Sequence, residues 1–254
     1  MTTTLDRQTY PTTEQTRKGT GRRRPIYVAC LGVFVLSFAI RIGLLVVTRS
    51  YAERENEELI HVAVSLAQGH GFANAYGNGA PTAHVSPLYP LLLSSVFRLF
   101  GTGMKGAIAQ EVLACLLASL TWALLPLLAE ISGLDRRVGL AAGIVAAVLI
   151  VNRWAETKGS FEAPMAGLAC LLVFTFFISC WYSTDFSMHT AVLAGILSGL
   201  AMLTSASLGS MVIGLLIAGC FVFRRRPGIE YLRFAFVALA LIVVTLFPWR
   251  CVID

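Results

Sequence analysis

Long apolar runs separated by short polar segments occupy most of the chain. The first is Ile26–Thr48, and others follow at residues 107–131, 138–151, 164–183, 191–203, 208–223 and 232–249. A helix needs about 20 apolar residues to cross the hydrocarbon of a bilayer, so this pattern predicts about seven crossings. Within 191–223 the small polar residues Thr204, Ser205 and Ser207, with Gly209, divide what would otherwise read as one long helix into two short spans. The expected fold class is therefore all-α: a polytopic membrane protein of about seven transmembrane helices, with interfacial helices in the loop after the first span.

Composition agrees with the pattern, because 56% of the residues are hydrophobic and only 13% charged, a balance that cannot cover its own apolar surface in water. The net charge of +6 sits at the ends of apolar runs, in Arg22-Arg23-Arg24, Asp135-Arg136-Arg137 and Arg224-Arg225-Arg226, instead of forming a basic stripe with interleaved aromatics. No nucleic-acid partner is expected. Arginines next to spans mark the cytoplasmic side. With the N-terminus there, all three arginine groups fall in cytoplasmic segments, while residues 49–105, the connection 153–163 and the end near Arg250 fall on the opposite side. The expected location is the cytoplasmic (inner) membrane of a cell envelope. Residues 1–25 read as a disordered basic tail, and 26–254 as one transmembrane domain. The run at 26–48 is longer than a signal-peptide core and no small-residue cleavage site follows it, so it reads as a retained span. Of six cysteines, five lie inside apolar runs, where a thiol acts as a small apolar residue. The four histidines are scattered and no pair has zinc-ligand spacing, so no structural metal site is expected.

The segment after the first span carries the most information. In 51–69, Leu59, Val62, Ala63 and Leu66 recur at helical spacing while Glu55, Glu58 and Ser65 take another face, which predicts a helix at the membrane surface. Gly69-His70-Gly71-Phe72 ends it, and a Gly/Asn-rich turn at 74–79 follows. Residues 81–90, with Pro81, Pro87 and Pro90, are not expected to be helical throughout. The run 91–100 offers about 10 apolar residues, too few to span, and reads as a short helix dipping into the interface.

The order of an acidic helix, Ser65 to Phe72, then Pro81-Thr82-Ala83, then Pro87-Leu88-Tyr89-Pro90-Leu91-Leu92-Leu93 and Phe97 to Gly101, resembles the first periplasmic loop of bacterial GT-C fold glycosyltransferases. The group in question contains the dolichyl-phosphate-mannose protein mannosyltransferases and the aminoarabinose transferases. Two later stretches are similar to the same group: Gly199 to Thr204, where many members continue with an arginine or asparagine and a proline but this chain has Ser205-Ala206, and Phe247-Pro248-Trp249-Arg250, which departs in spacing from the group's Pro-Trp-x-x-Arg-Asn segment. The resemblance implies transfer of a hexosyl or pentosyl group, with inversion, from a polyprenyl-phosphate sugar donor to a lipid, glycan or protein acceptor at the outer face of the membrane.

The resemblance also implies a loop carboxylate that assists the attacking nucleophile, which matches the general-base chemistry open to an interfacial acid. Counting back from Gly69 places Glu58 at that position, with Glu57 and Glu55 as alternatives. Substrate-binding candidates are Arg41 inside the first span, His61 on the face of Glu57 and Glu58, His84, Tyr89, Glu162 at the start of the fourth span, and Arg250. Lys105 and Trp154 are weaker ones. Each has an ordinary structural reading as well: solvated helix faces for the glutamates, a helix N-terminus for Glu162, snorkelling or pairing with Glu111 for Arg41, and interfacial belts for the aromatics. No cofactor follows with certainty from the sequence, and a divalent metal ion, with His61 as a residue that could touch it, is left open.

Members of the group continue with further spans, so the stop at Cys251 to Asp254 reads as a C-terminal truncation. The competing function is a non-catalytic membrane protein, either a partner subunit or a degenerate fragment of such an enzyme. A transporter would favour paired charges and Gly/Pro-broken spans near the midplane, where only Arg41 is so placed.

Overall fold

The computed structural model describes residues 26–52, 57–82, 84–149, 162–223 and 228–250, the last without the Arg250 side chain. Expectations for the 1–25 tail, Glu55, Trp154, the connection 153–161, the 224–226 arginines and the chain end lie outside these residues. The described residues are helical without a β-strand: α1 (Ile26–Thr48), α2 (Glu58–Ala67), α3 (Leu88–Phe100), α4 (Met104–Ala123), α5 (Leu125–Ile131), α6 (Arg136–Val148), α7 (Ala163–Ser183), α8 (Met188–Thr204), α9 (Leu208–Val222) and α10 (Gly228–Arg250). A single turn of 3-10 helix, Ser50–Ala52, follows α1.

Every apolar run carries a helix, but not all are of spanning length. Four are long and apolar enough to cross a bilayer: Ile26–Thr48, Met104–Ile131, Ala163–Ser183 and Gly228–Trp249. The other three expected crossings, α6, α8 and α9, have 13, 17 and 15 residues, or about 20 to 26 Å against a hydrocarbon core of about 30 Å. By length and composition, four helices are candidate spans where the pattern predicts about seven.

Local chemistry sets the boundaries. Pro126, in the first turn of α5, removes the N–H that would continue the ladder from Trp122, so the run 107–131 becomes two helices meeting at Leu124. The Asp135 carboxylate accepts from Arg137 N (2.9 Å) and starts α6. At α8 the Ser187 hydroxyl accepts from Thr190 N (3.4 Å). The break expected at 204–207 is present, with Ser205 and Ser207 hydroxyls 3.0 Å apart between α8 and α9.

Helix α1 packs on α4 and α6, α6 on α5, α4 on α7, α7 on α8, and α8 on α10. Small residues allow the close crossings. A Cβ on Gly139 would lie 2.6 Å from that of Ala129 in α5, and a Cβ on Gly143 would lie 3.0 Å from Val33 of α1. On α8, Cβ atoms on Gly195 and Gly199 would each lie 2.7 Å from a Cβ of α10, that of Leu241 and that of Thr245. This is the small-xxx-small packing of helices in lipid, where dispersion and close approach replace a hydrophobic drive. Leu31 and Val35 of α1 and Phe236, Val243 and Val244 of α10 face outward and are exposed, an apolar surface suited to hydrocarbon and costly in water.

Arg41 neither snorkels nor faces lipid. It is fully buried, and Nη1 donates to Ser37 Oγ (2.6 Å) and to the Ala147 carbonyl (3.3 Å). Because α6 stops at Val148, its last carbonyls lack intrahelical donors, and a cation there also suits the negative end of the helix dipole. The short helix and the buried arginine explain each other.

Candidate functional site

The segment between α1 and α4 folds back over one end of the bundle. Leu59 and Ala63 of α2, Tyr89, Leu93 and Phe97 of α3, and Leu117 of α4 form a buried cluster, with Met165 and Leu168 of α7 against it. The apolar periodicity of 59–66 thus reads correctly as a packed face, except at Ser65. That residue is buried because its hydroxyl donates to the Gly71 carbonyl (3.1 Å) and closes the turn after α2. Helix α3 begins at Leu88, earlier than expected, because Pro90 falls in its first turn, where a missing N–H breaks no intrahelical bond.

Between α2 and α3 the chain makes a narrow hairpin. Thr82 N donates to Phe72 O (3.1 Å), Asn74 N to Ala80 O (2.8 Å), and Gly79 N to the Asn74 side chain (2.8 Å). Gly77 and Gly79 take positive φ values of 75° and 72° at its tip, which glycine adopts without penalty. Phe72 sets its ring against Trp249 of α10 in a T-shaped contact, centroids 4.6 Å apart. Two stretches singled out in the sequence, Gly69 to Phe72 and Phe247 to Arg250, therefore meet in space.

Glu58 occupies the first turn of α2, where the helix dipole favours a carboxylate. Its Oε2 lies 3.7 Å from His84 Nε2, and the side chains are 43% and 68% exposed. The His84 ring in turn lies 6.1 Å from that of Tyr76 at the hairpin tip. Glu58, His84 and Tyr76 thus form a row of open, polar-edged side chains on a backbone fixed by the hairpin bonds. Tyr76 was not anticipated; the signal available was an aromatic inside the Gly/Asn-rich turn, a place where packing does not demand one.

The remaining candidates separate. Glu57 is the N-cap residue of α2 without a side-chain cap bond, and its carbonyl accepts from the N–H groups of Ile60 and His61 (3.0 and 3.2 Å). His61 lies one turn into α2 and is half-buried. Tyr89 is fully buried and offers no ring face to a ligand; burial pushes its phenol well above the ordinary tyrosine range, and the Glu162 carboxylate adds to the effect. Glu162 therefore borders the same cluster that carries Leu59, the neighbour of Glu58. Arg41 is engaged beneath α6, and the Arg250 side chain lies outside the described residues. Glu111, inside α4, is buried and accepts a 2.6 Å bond from Ser50. Among the described residues no three His, Cys, Asp or Glu side chains come together, so these residues by themselves do not form a metal site near His61. No two of the described cysteines are joined by a disulfide.

No protein-family model matches the chain, and no curated protein matches it either.

Proposed function

We propose that the chain is a membrane glycosyltransferase that moves a sugar from a polyprenyl-phosphate donor to a lipid, glycan or protein acceptor at the outer face of the membrane. The observation that carries this reading is Glu58: an accessible carboxylate on a folded loop, at the end of a bundle of apolar helices, beside a histidine. In the reaction an acceptor hydroxyl or amine attacks the anomeric carbon and gives its proton to Glu58. The bond from that carbon to the phosphate oxygen breaks, and its electron pair leaves on the phosphate, which needs no acid if cations hold its charge.

The reading takes α6, α8 and α9 as crossings too, for seven in all, which puts the α2–α3 loop and the end of α10 on the non-cytoplasmic side and the 136–137 arginines on the cytoplasmic side. The parallel alignment of α1 with α6, through Val33–Gly143 and Arg41–Ala147, and of α8 with α10, through Gly195–Leu241 and Gly199–Thr245, supports that alternation.

The test is transfer of label from polyprenyl-phosphate-linked hexoses and pentoses into lipid, glycan and protein fractions of membranes that contain the chain. Transfer that disappears in Glu58→Gln supports the reading. Equal transfer by wild type and variant removes Glu58 from the mechanism, and the absence of transfer across the donor panel favours a non-catalytic partner subunit.

A further inference from the structure

The neighbour of Glu58 is held by more than chance proximity. His84 lies far along the chain from α2, yet the hairpin returns it to the first turn of that helix. Its backbone N–H donates to Thr82 Oγ1 (3.2 Å), and Thr82 N–H is itself bonded to Phe72 O. The imidazole lies near the Tyr76 ring, with centroids 6.1 Å apart and a tilt of 36°. An exposed histidine that served only solubility would need none of these contacts. A carboxylate on a first helical turn, by contrast, is free to rotate unless something fixes one of its oxygens.

We propose that His84 is the positioning residue for Glu58. With a proton on Nε2 it presents a donor to Oε2 of Glu58, across 3.7 Å in this structure, a separation of the kind that tightens when substrate closes a site. Holding Oε2 turns the other carboxylate oxygen toward the acceptor. Tyr76 lies beside the same imidazole, with ring centroids 6.1 Å apart. This inference rests on the glycosyl-transfer reading and adds to it the residue that orients the base. Misplacing a catalytic group by an ångström can cost about 100-fold in rate, whereas removing an exposed side chain costs little stability.

The experiment uses the full chain in membranes, with the polyprenyl-phosphate-linked sugar that gives transfer. His84→Ala should lower kcat by about 10- to 100-fold with the donor KM within about twofold of wild type. His84→Gln, which keeps a side-chain N–H donor, should recover most of that loss, and Tyr76→Ala should show a smaller fall of a few-fold. Thermal unfolding in detergent should stay at the wild-type temperature for all three, which separates positioning from folding. A wild-type kcat in His84→Ala overturns the proposal, as does a loss that His84→Gln leaves unrestored or one that falls on KM alone. No transfer by wild type, or undiminished transfer by Glu58→Gln, overturns the glycosyl-transfer reading itself, and the role of His84 falls with it.

Discussion

The two ends of the bundle are built on opposite rules. At the loop end, Glu58, His84 and Tyr76 are open side chains on a backbone fixed by hairpin hydrogen bonds. At the other end, Phe177, Phe223, Tyr231 and Phe234 are buried, with Phe186 edge-on to Phe223, Tyr231 and Phe234 at 4.8 to 5.6 Å. There the Tyr231 hydroxyl donates to the Leu216 carbonyl at 3.0 Å. The loop end adds backbone pairing to its packed cluster, whereas the other end is held by packed rings. The first arrangement leaves polar side chains open, and the second covers its rings.

Substitutions should respond accordingly. The largest effect is expected for Glu58→Gln, a loss of about 100- to 10,000-fold in transfer rate with the unfolding temperature unchanged; a drop in both would assign the loop end a structural role like that of the aromatic end. Tyr231→Ala should cost about 3–5 kcal/mol of stability, as truncation of large buried rings does, while leaving the kcat of the folded fraction intact. Gly219→Ala should cost about 1–3 kcal/mol, because a Cβ there would overlap the Tyr231 hydroxyl. The same substitution in a Tyr231→Leu background should cost less, which a double-mutant cycle would read directly.

The smallest effect concerns pH. Burial raises the folded-state pKa of Tyr89, so the unfolded chain gives up this proton first, near the ordinary tyrosine value of about 10. The contribution of this residue is constant below that pH and falls as pH rises above it. Tyr89→Phe should flatten the alkaline limb of the stability profile, and an unaltered limb would mean the phenol is not as enclosed as its packing shows.

Much of the helical plan was legible because apolar length and breaker residues survive in any solvent. The helix at each run, the 204–207 break and the short helix ending at Phe100 all follow from that. Which apolar face meets protein and which meets lipid was not legible, since both surroundings are apolar and the sequence need not distinguish them. Tyr89 looked like a boundary aromatic and is core; Arg41 looked free to snorkel and is covered by a helix too short to finish its own hydrogen bonds. Ser65 is inside because one backbone carbonyl waits for it. At the site, the order of motifs pointed to Glu58, but pairing with His84 depends on a hairpin whose register is set by backbone bonds, a level at which residue types say little.

The Phe72–Trp249 contact bears on how the protein is made. Phe72 emerges before α4 to α9 and its ring partner after them, so the hairpin lacks this contact while those helices are made. Contacts between distant parts of a chain form late because the intervening segment must be ordered first. The loop that carries Glu58 and His84 thus gains this contact only when α10 docks, which ties the setting of the loop to the arrival of a helix far along the chain.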